Sequence, residues 1–288
     1  MVSLNRSYLA FKSDGIYYLL PLEEVEQIVD GSLETEQEFI EFSHITGTAQ
    51  SGGNAGYQYG ILLHFRQDAT SGTALSFGIL TEEIEGILKE AESEEFMLDK
   101  PVINCQNRYI KAVCRIRTEE REYTGFLLDA AQLFKVVRQD CDKEEKHRER
   151  KDSHSCREEK ARGNERDGES LQFITLERDG ELLYVDKSVV EAVIMKPEIL
   201  KIPGIDSRIL GISFYERELV TYYDQLEEEK GPDWLRQRTV YACGVLFRTR
   251  EGNLAGLAGD STGETAFSTV DLENVISMGS GIWVRKRD

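Results

Sequence analysis

The sequence predicts an all-β protein made of two small domains that are joined by a charged linker. Two Asp-Gly steps, Asp14-Gly15 and Asp179-Gly180, each separate two runs in which apolar and polar residues alternate. This pattern indicates a β-hairpin, because glycine tolerates the positive φ of a tight turn. Further short strands follow at close spacing, without the strand-helix rhythm of parallel sheets. We therefore predict mainly antiparallel small β-barrels with short helices.

Composition and charge limit the class of partner. A chain of 288 residues with 40% apolar residues is long enough for two globular domains. Its formal net charge of −18 disfavours nucleic acid and anionic membranes, because their phosphate groups would repel it. No signal peptide or apolar membrane span is recognisable, and five irregularly placed cysteines suit a reducing compartment. We expect a cytoplasmic protein that binds other proteins.

Residues 138–169 are predicted to be a linker between domains at 1–137 and 170–288. Nearly every position in the linker is charged or polar, so there is nothing to bury. The linker contains two cysteines and two histidines: Cys141, His147, His154 and Cys156. These residue types suit zinc, but their spacing lacks the tight pairs of a zinc site. We predict a solvated segment without a metal.

The two halves begin alike. Residues 7–29 and residues 171–194 each contain an alternating run, an Asp-Gly turn, a second run and a segment with apolar residues three or four apart. We predict strand, turn, strand and short helix at the start of both halves.

More strands are predicted downstream in each half: 57–65, 74–84, 108–116 and 123–129 in the first, and 209–215, 219–224, 239–247 and 254–260 in the second. Glycines inside these strands suit bulges and tight corners: Gly60, Gly78, Gly211, Gly244 and Gly256.

The second half carries the motifs of a family resemblance. Ile202-Pro203-Gly204 forms a Pro-Gly loop, Gly211 leads a strand, and Val220 to Asp224 close the next strand. In this order they resemble the CheW family of chemotaxis coupling domains, which has an Ile/Val-Pro-Gly loop, a Gly-led strand, an Arg-Gly turn and a strand ending Pro-Val-x-Asp-Leu. Departures from the family pattern are Phe214 for Asn, Glu216-Arg217 for Arg-Gly, Thr221 for Pro and Gln225 for Leu.

The first half is similar to other parts of the same family. Residues 74–90 resemble a strand and helix, with Thr81 in place of Asp, and residues 108–134 resemble the terminal segment, with Ala112 in place of Gly. Residues 39–45 match the closing strand, with His44 at the Asp position. The Pro-Gly loop is absent from this half, and the second half is expected to be incomplete in its C-terminal segment.

The resemblance implies a non-catalytic scaffold that joins chemoreceptors to a CheA-like histidine kinase, on a domain of two five-stranded β-barrels. It implies no cofactor and no membrane insertion, and other CheW-like domains are further candidate partners. The residues implied for partner binding are Ile202, Pro203, Gly204, Gly211, Phe214, Tyr215, Glu216 and Arg217.

The alternative is a small-molecule- or metal-binding β-barrel protein. No histidine is placed to activate a cysteine, so nucleophilic catalysis is not indicated. Glu82, Glu83 and Glu85 are expected on the solvated face of a short helix, and Asp129 and Asp224 are expected to cap the turn or helix that follows. Residues 259–266 contain two glycines without a lysine, so we expect a hairpin loop and no phosphate site.

Overall fold

Strands dominate the part of the chain that the structure describes. The structure is a computed structural model, and it describes residues 6–31, 39–47, 57–66, 74–89, 93–98, 102–117, 122–138, 171–205, 208–224, 240–249, 252–267, 275–279 and 282–285. The chain divides into two units, Met1–His154 with Pro203–Ile205 and Ser155–Ile202 with Asp206–Asp288. Each unit contains two β-sheets, and the predicted all-β class is confirmed.

Ten strands form the two sheets in the described part of the first unit. They are β1 (Ser7–Ser13), β2 (Ile16–Pro21), β3 (Val25–Asp30), β4 (Phe39–Glu41), β5 (Tyr59–Arg66), β6 (Ala74–Thr81), β7 (Glu83–Lys89), β8 (Ser93–Met97), β9 (Ile110–Arg117) and β10 (Glu122–Leu128). One sheet has the order β7-β1-β2-β10-β9-β8, and the other has the order β3-β5-β6-β4. Helices α1 (Phe42–Thr46) and α2 (Ala130–Val137) follow β4 and β10.

Ten further strands form two five-stranded sheets in the described part of the second unit. They are β11 (Leu171–Arg178), β12 (Glu181–Asp186), β13 (Val190–Met195), β14 (Ile209–Tyr215), β15 (Glu218–Tyr223), β16 (Cys243–Arg248), β17 (Leu254–Gly259), β18 (Ser261–Phe267), β19 (Val275–Gly279) and β20 (Ile282–Arg285). The sheet orders are β18-β11-β12-β20-β19 and β13-β16-β17-β15-β14.

Most neighbouring strands pair antiparallel, as the sequence predicts. Among the described strands, β10 pairs with β2, β4 with β6, and β15 with β17 in parallel. Each parallel pair joins strands that are far apart in sequence, because a parallel neighbour needs a long connection.

The two predicted Asp-Gly hairpins are present. Asp14 and Gly15 have φ values of 50° and 78°, and Asp179 and Gly180 have 51° and 80°. They form the two-residue turns of the β1–β2 and β11–β12 hairpins, since positive φ at both positions gives the backbone twist that such turns need.

Four segments differ from the sequence prediction. The short helix expected after each hairpin is only a 3-10 turn, Leu22–Glu24 or Lys187–Val189, before β3 or β13. An apolar pattern of so few residues does not sustain a helix, and pairing with β5 or β16 satisfies the backbone instead. The segment after residue 81 was expected to be a helix, but it forms strand β7. The segment 259–266 was expected to be a loop, but residues 261–266 belong to β18.

An aromatic ring lies over two glycines in each unit. A Cβ atom added at Gly78 would lie 2.4 Å from Cδ1 of Phe39, and one added at Gly256 would lie 2.7 Å from Cε1 of Tyr222. Phe39 pairs with Gly78 as Tyr222 pairs with Gly256. The sequence analysis predicted bulges or tight corners at these glycines. In the structure they leave space for an aromatic ring.

The closing strand predicted over residues 39–45 is shorter than expected. Only Phe39–Glu41 is a strand, β4, and α1 (Phe42–Thr46) follows it directly. His44 lies inside α1 and not in a strand, and its assignment to the Asp position of the family stays a prediction.

The core of the second unit lies between its two sheets. It contains Ile174, Leu176, Leu183 and Val185 from one sheet and Cys243, Val245, Phe247, Ala255 and Leu257 from the other. Alternate residues of each strand point inward, as expected for packed sheets. The hairpin of β14 and β15 therefore belongs to a sheet whose position the core fixes.

Candidate functional site

The hairpin of β14 and β15 presents the turn that was predicted to bind partners. The strands pair from Ile209↔Tyr223 to Tyr215↔Glu218, so Glu216 and Arg217 are the two turn residues. Both are exposed. Arg217 has no hydrogen bond or ion pair with the residues that the structure describes. The turn thus offers a solvated cation at the tip of a paired hairpin.

The turn is strained at Glu216, where φ is 54°. A left-handed backbone conformation costs free energy for residues with a Cβ atom but not for glycine. We predict that Glu216→Gly raises the free energy of unfolding by about 0.5–1 kcal/mol, since the relief of strain exceeds the added entropy of the unfolded chain. Chemical denaturation would measure the change. Arg217→Gly, the control one residue later, is expected to bring no gain, and equal gains would contradict strain at Glu216.

The two aromatic residues before the turn have different surroundings. Phe214 and Tyr215 are both half-buried. Tyr215 packs against a core cluster that includes Ile199, Leu210 and Val220, so its ring contributes to folding. Phe214 pairs with Leu219 across the hairpin and lies on the opposite face, because successive side chains of a strand alternate.

Gly211 has a structural role. Its φ is 146°, and the β14–β15 register shifts between Ile209 and Gly211. A Cβ atom there would lie 2.3 Å from the backbone oxygen of Leu200. Leu200 and Ile212 exchange two backbone hydrogen bonds of 2.7 and 2.9 Å. Glycine is therefore needed so that the Leu200 segment can lie against β14.

The Pro-Gly loop is less accessible than the hairpin turn. Ile202 and Pro203 are buried, and Gly204 is half-buried with φ of 64°. Within the first unit, Nδ2 of Asn104 donates a hydrogen bond of 2.7 Å to the backbone oxygen of Gly204. Of the eight predicted residues, Glu216 and Arg217 are the exposed ones and Phe214 is partly accessible.

A cluster of ion pairs beside the Glu216–Arg217 turn was not predicted from the sequence. Arg248 donates two hydrogen bonds of 2.9 Å to the carboxylate of Glu218, and its Nε lies 3.4 Å from Oε2 of Glu191. The hydrogen bonds from Arg248 lower the pKa of Glu218 below its ordinary value. Arg248 ends an apolar strand, and only the strand pairing shows which acids it meets.

Asp224 forms a buried ion pair with Arg178. Nη2 of Arg178 donates to Oδ2 of Asp224 at 2.7 Å, and the two side chains are 9% and 1% exposed. The guanidinium also lies 5.4 Å from the ring centroid of Tyr241. Asp224 thus joins the two sheets of the second unit, and the turn or helix that it was predicted to cap lies outside the described residues. The cap predicted at Asp129 is confirmed, because its Oδ1 accepts from the backbone N–H of Gln132 at 2.9 Å.

The described cysteines of the core are unreactive. Burial raises the pKa of Cys114 to about 12, and burial also raises that of Cys243. Both are thiols at neutral pH, whereas nucleophilic cysteines are thiolates.

Within the described ranges, no group of three His, Cys, Asp or Glu residues is placed to hold a metal ion, and no helix has the length and apolarity to span a bilayer. The linker residues Cys141, His147, His154 and Cys156 lie outside the described residues.

The chain was compared with known proteins. Among solved structures it is similar to the crystal structure of the scaffolding protein TtCheW from Thermoanaerobacter tengcongensis, at 12% sequence identity and a TM-score of 0.33. The similarity covers 46% of this chain and 93% of that chain. No protein-family model and no curated protein matches the chain.

Proposed function

We propose that the protein is a non-catalytic scaffold of chemotaxis-type signal transduction, which couples chemoreceptors to a CheA-like histidine kinase. The order of the sequence motifs from Ile202 to Asp224 supports this function. One structural observation carries it: the β14–β15 hairpin presents Phe214, Glu216 and Arg217 to solvent. Aromatic residues and arginine are enriched in protein interfaces.

The hairpin has a rigid base, which favours docking. The close approach of Leu200 to Gly211 holds β14, and the buried Arg178–Asp224 ion pair holds the end of β15. A surface that is already ordered loses less conformational entropy when it binds. The strained turn at Glu216 is thus displayed in one conformation.

We also propose that the two units are diverged copies of one CheW-like domain, at 1–137 and 170–288, on either side of the linker 138–169. Both have an Asp-Gly hairpin that is followed by a 3-10 turn and an edge strand. In both, a single residue, Glu82 or Asp260, connects a strand of one sheet to a strand of the other sheet. The units differ in the strand that pairs with the second strand of the hairpin. In the first unit β10 pairs with β2 in parallel, whereas in the second β20 pairs with β12 antiparallel. This difference supports an altered C-terminal segment in the second copy.

Substitutions in the turn test the proposed docking surface. The full chain would be titrated with a receptor tip and with the kinase regulatory domain, by calorimetry. We predict that Phe214→Ala weakens binding of at least one partner about tenfold, as loss of an aromatic anchor does. Glu216→Arg reverses a charge at the tip and should change affinity by about tenfold or more.

A matched control separates docking from general charge effects. Asp14 occupies a two-residue hairpin turn of the first unit with φ of 50°, so Asp14→Arg makes the same charge change in a similar turn. It should leave both affinities unchanged, and circular dichroism should show that every variant is folded. If Phe214→Ala and Glu216→Arg bind all partners as the wild type does, this hairpin is not the docking surface.

A further inference from the structure

We propose that the first unit binds an organic cation, an alkylammonium or guanidinium group, in an open pocket beside β3. The pocket has a volume of about 560 Å³ and is lined by Ile28, Val29, Asp30, Tyr57, Gln58 and Tyr59. Among the described strands, β3 lies at the edge of its sheet. Nothing in the scaffold function requires this pocket.

The lining combines the groups that hold organic cations. Tyr57 and Tyr59 supply aromatic rings, whose faces attract ammonium and guanidinium groups. Asp30 supplies a carboxylate, and Ile28 is an apolar side chain that is 43% exposed. An alkyl group on the cation would cover Ile28 while the charge lies near Asp30. The net charge of −18 further concentrates cations near the chain.

Tyr57 is held in place before any ligand arrives. Its hydroxyl donates to Oε2 of Glu41 at 3.1 Å and lies 2.6 Å from Oγ of Ser43, which is 3% exposed. Oε2 of Glu41 also lies 3.3 Å from Nδ1 of His44. An aromatic ring fixed at its hydroxyl end loses little freedom when a cation docks.

The backbone that carries the pocket is tightly packed. The N–H of Gly31 donates to the backbone oxygen of Gln58 at 2.9 Å. A Cβ atom at Gly31 would lie 2.9 Å from the backbone nitrogen of Tyr59, so the end of β3 touches the segment that bears both tyrosines. The close backbone contact at Gly31 therefore positions Asp30 relative to the rings of Tyr57 and Tyr59.

The donor set favours an organic cation over a metal ion. Calcium and magnesium take six or more oxygen ligands, including several carboxylates or carbonyls. Among the described residues, the pocket lining contains one carboxylate, Asp30, beside phenol, amide and aliphatic groups. A large, weakly hydrated cation fits such a lining better.

A titration followed by NMR tests the site on the full chain. The probe is choline, and the neutral control is 3,3-dimethylbutan-1-ol, which has the same shape without the charge. At about 0.15 M salt, where distant charges are screened, we expect choline to shift the amide signals of Asp30, Gln58 and Tyr59. Its dissociation constant should be on the order of millimolar, as for a small ligand in an open site. The neutral control should bind at least about fivefold more weakly.

Three variants locate the binding. Asp30→Asn removes the charge at an exposed position, and Tyr57→Leu removes a ring; each should weaken choline binding about three- to tenfold. Glu83→Gln removes an acid 58% exposed elsewhere in the same unit and should have no effect. If Tyr57→Leu lowers the melting midpoint, Asp30→Asn alone decides the test.

A second arm identifies the source of the cation. A short lysine peptide that binds more tightly than choline, and loses binding when the lysine is acetylated, indicates a partner side chain. Choline binding without peptide binding indicates a free amine, and both results support a cation site. Equal binding of the neutral control, shifts away from the pocket, or wild-type affinity in Asp30→Asn would overturn it.

Discussion

Replacing Asp224 by alanine is expected to lower the free energy of unfolding of the second unit by about 3–5 kcal/mol. The change leaves the guanidinium of Arg178, which is 9% exposed, without the carboxylate 2.7 Å away. A buried charge without a partner keeps its full cost of desolvation. Chemical denaturation of the full chain, followed by circular dichroism, would measure the loss.

Two controls distinguish the ion pair from a general effect of charge. Asp179 lies 3.5 Å from Nε of Arg178 but is 66% exposed, so Asp179→Ala should cost less than about 1 kcal/mol. The double variant Arg178→Met with Asp224→Leu replaces both charges by apolar groups and should recover most of the stability. A loss below about 1 kcal/mol for Asp224→Ala would show that the pair does not hold the two sheets together.

Replacing Gly211 by alanine is expected to destabilise the second unit by at least about 2 kcal/mol. The new Cβ atom would lie 2.3 Å from the backbone oxygen of Leu200, at φ of 146°. The Leu200 segment would have to leave β14, which breaks its two hydrogen bonds with Ile212. Thermal and chemical denaturation would measure the effect.

Gly252 provides the matched control for the clash. Its φ is 88°, and a Cβ atom there would meet none of the residues that the structure describes within 4 Å. Gly252→Ala therefore carries only the strain of the left-handed backbone, about 1–2 kcal/mol. If Gly211→Ala costs no more than Gly252→Ala, the approach of Leu200 does not require glycine.

Local signals in the sequence predict much of this fold. The Asp-Gly steps identify both hairpins, because the turn needs positive φ at Asp14, Gly15, Asp179 and Gly180. Short apolar runs identify strands that are buried at consecutive positions, such as β5, β9 and β14. The cap at Asp129 follows from its place between a strand and an apolar helix.

Features set by distant pairing are not visible in the sequence. Residues after Thr81 look helical because Ile84, Ile87 and Leu88 have helical spacing, yet β1 pairs with this segment and makes it β7. The approach of Phe39 to Gly78, and that of Tyr222 to Gly256, depends on a parallel register that local patterns do not record.

The polar contacts depend on pairing in the same way. Arg178 and Asp224 are 46 residues apart, so their ion pair requires the packing of two sheets. The pocket beside β3 is lined by Asp30, Tyr57 and Tyr59, which are distant in the sequence and come together when β3 pairs with β5. Sequence patterns therefore predict elements better than they predict sites.

The most direct measurement is a calorimetric titration of the full wild-type chain with the regulatory domain of a CheA-like histidine kinase, the proposed partner, and with a receptor tip. A scaffold should bind this domain saturably, and the complex should be weakened by Phe214→Ala and unaffected by Asp14→Arg. Absence of binding to both the kinase domain and the receptor tip, with a folded chain shown by circular dichroism, would contradict the scaffold function.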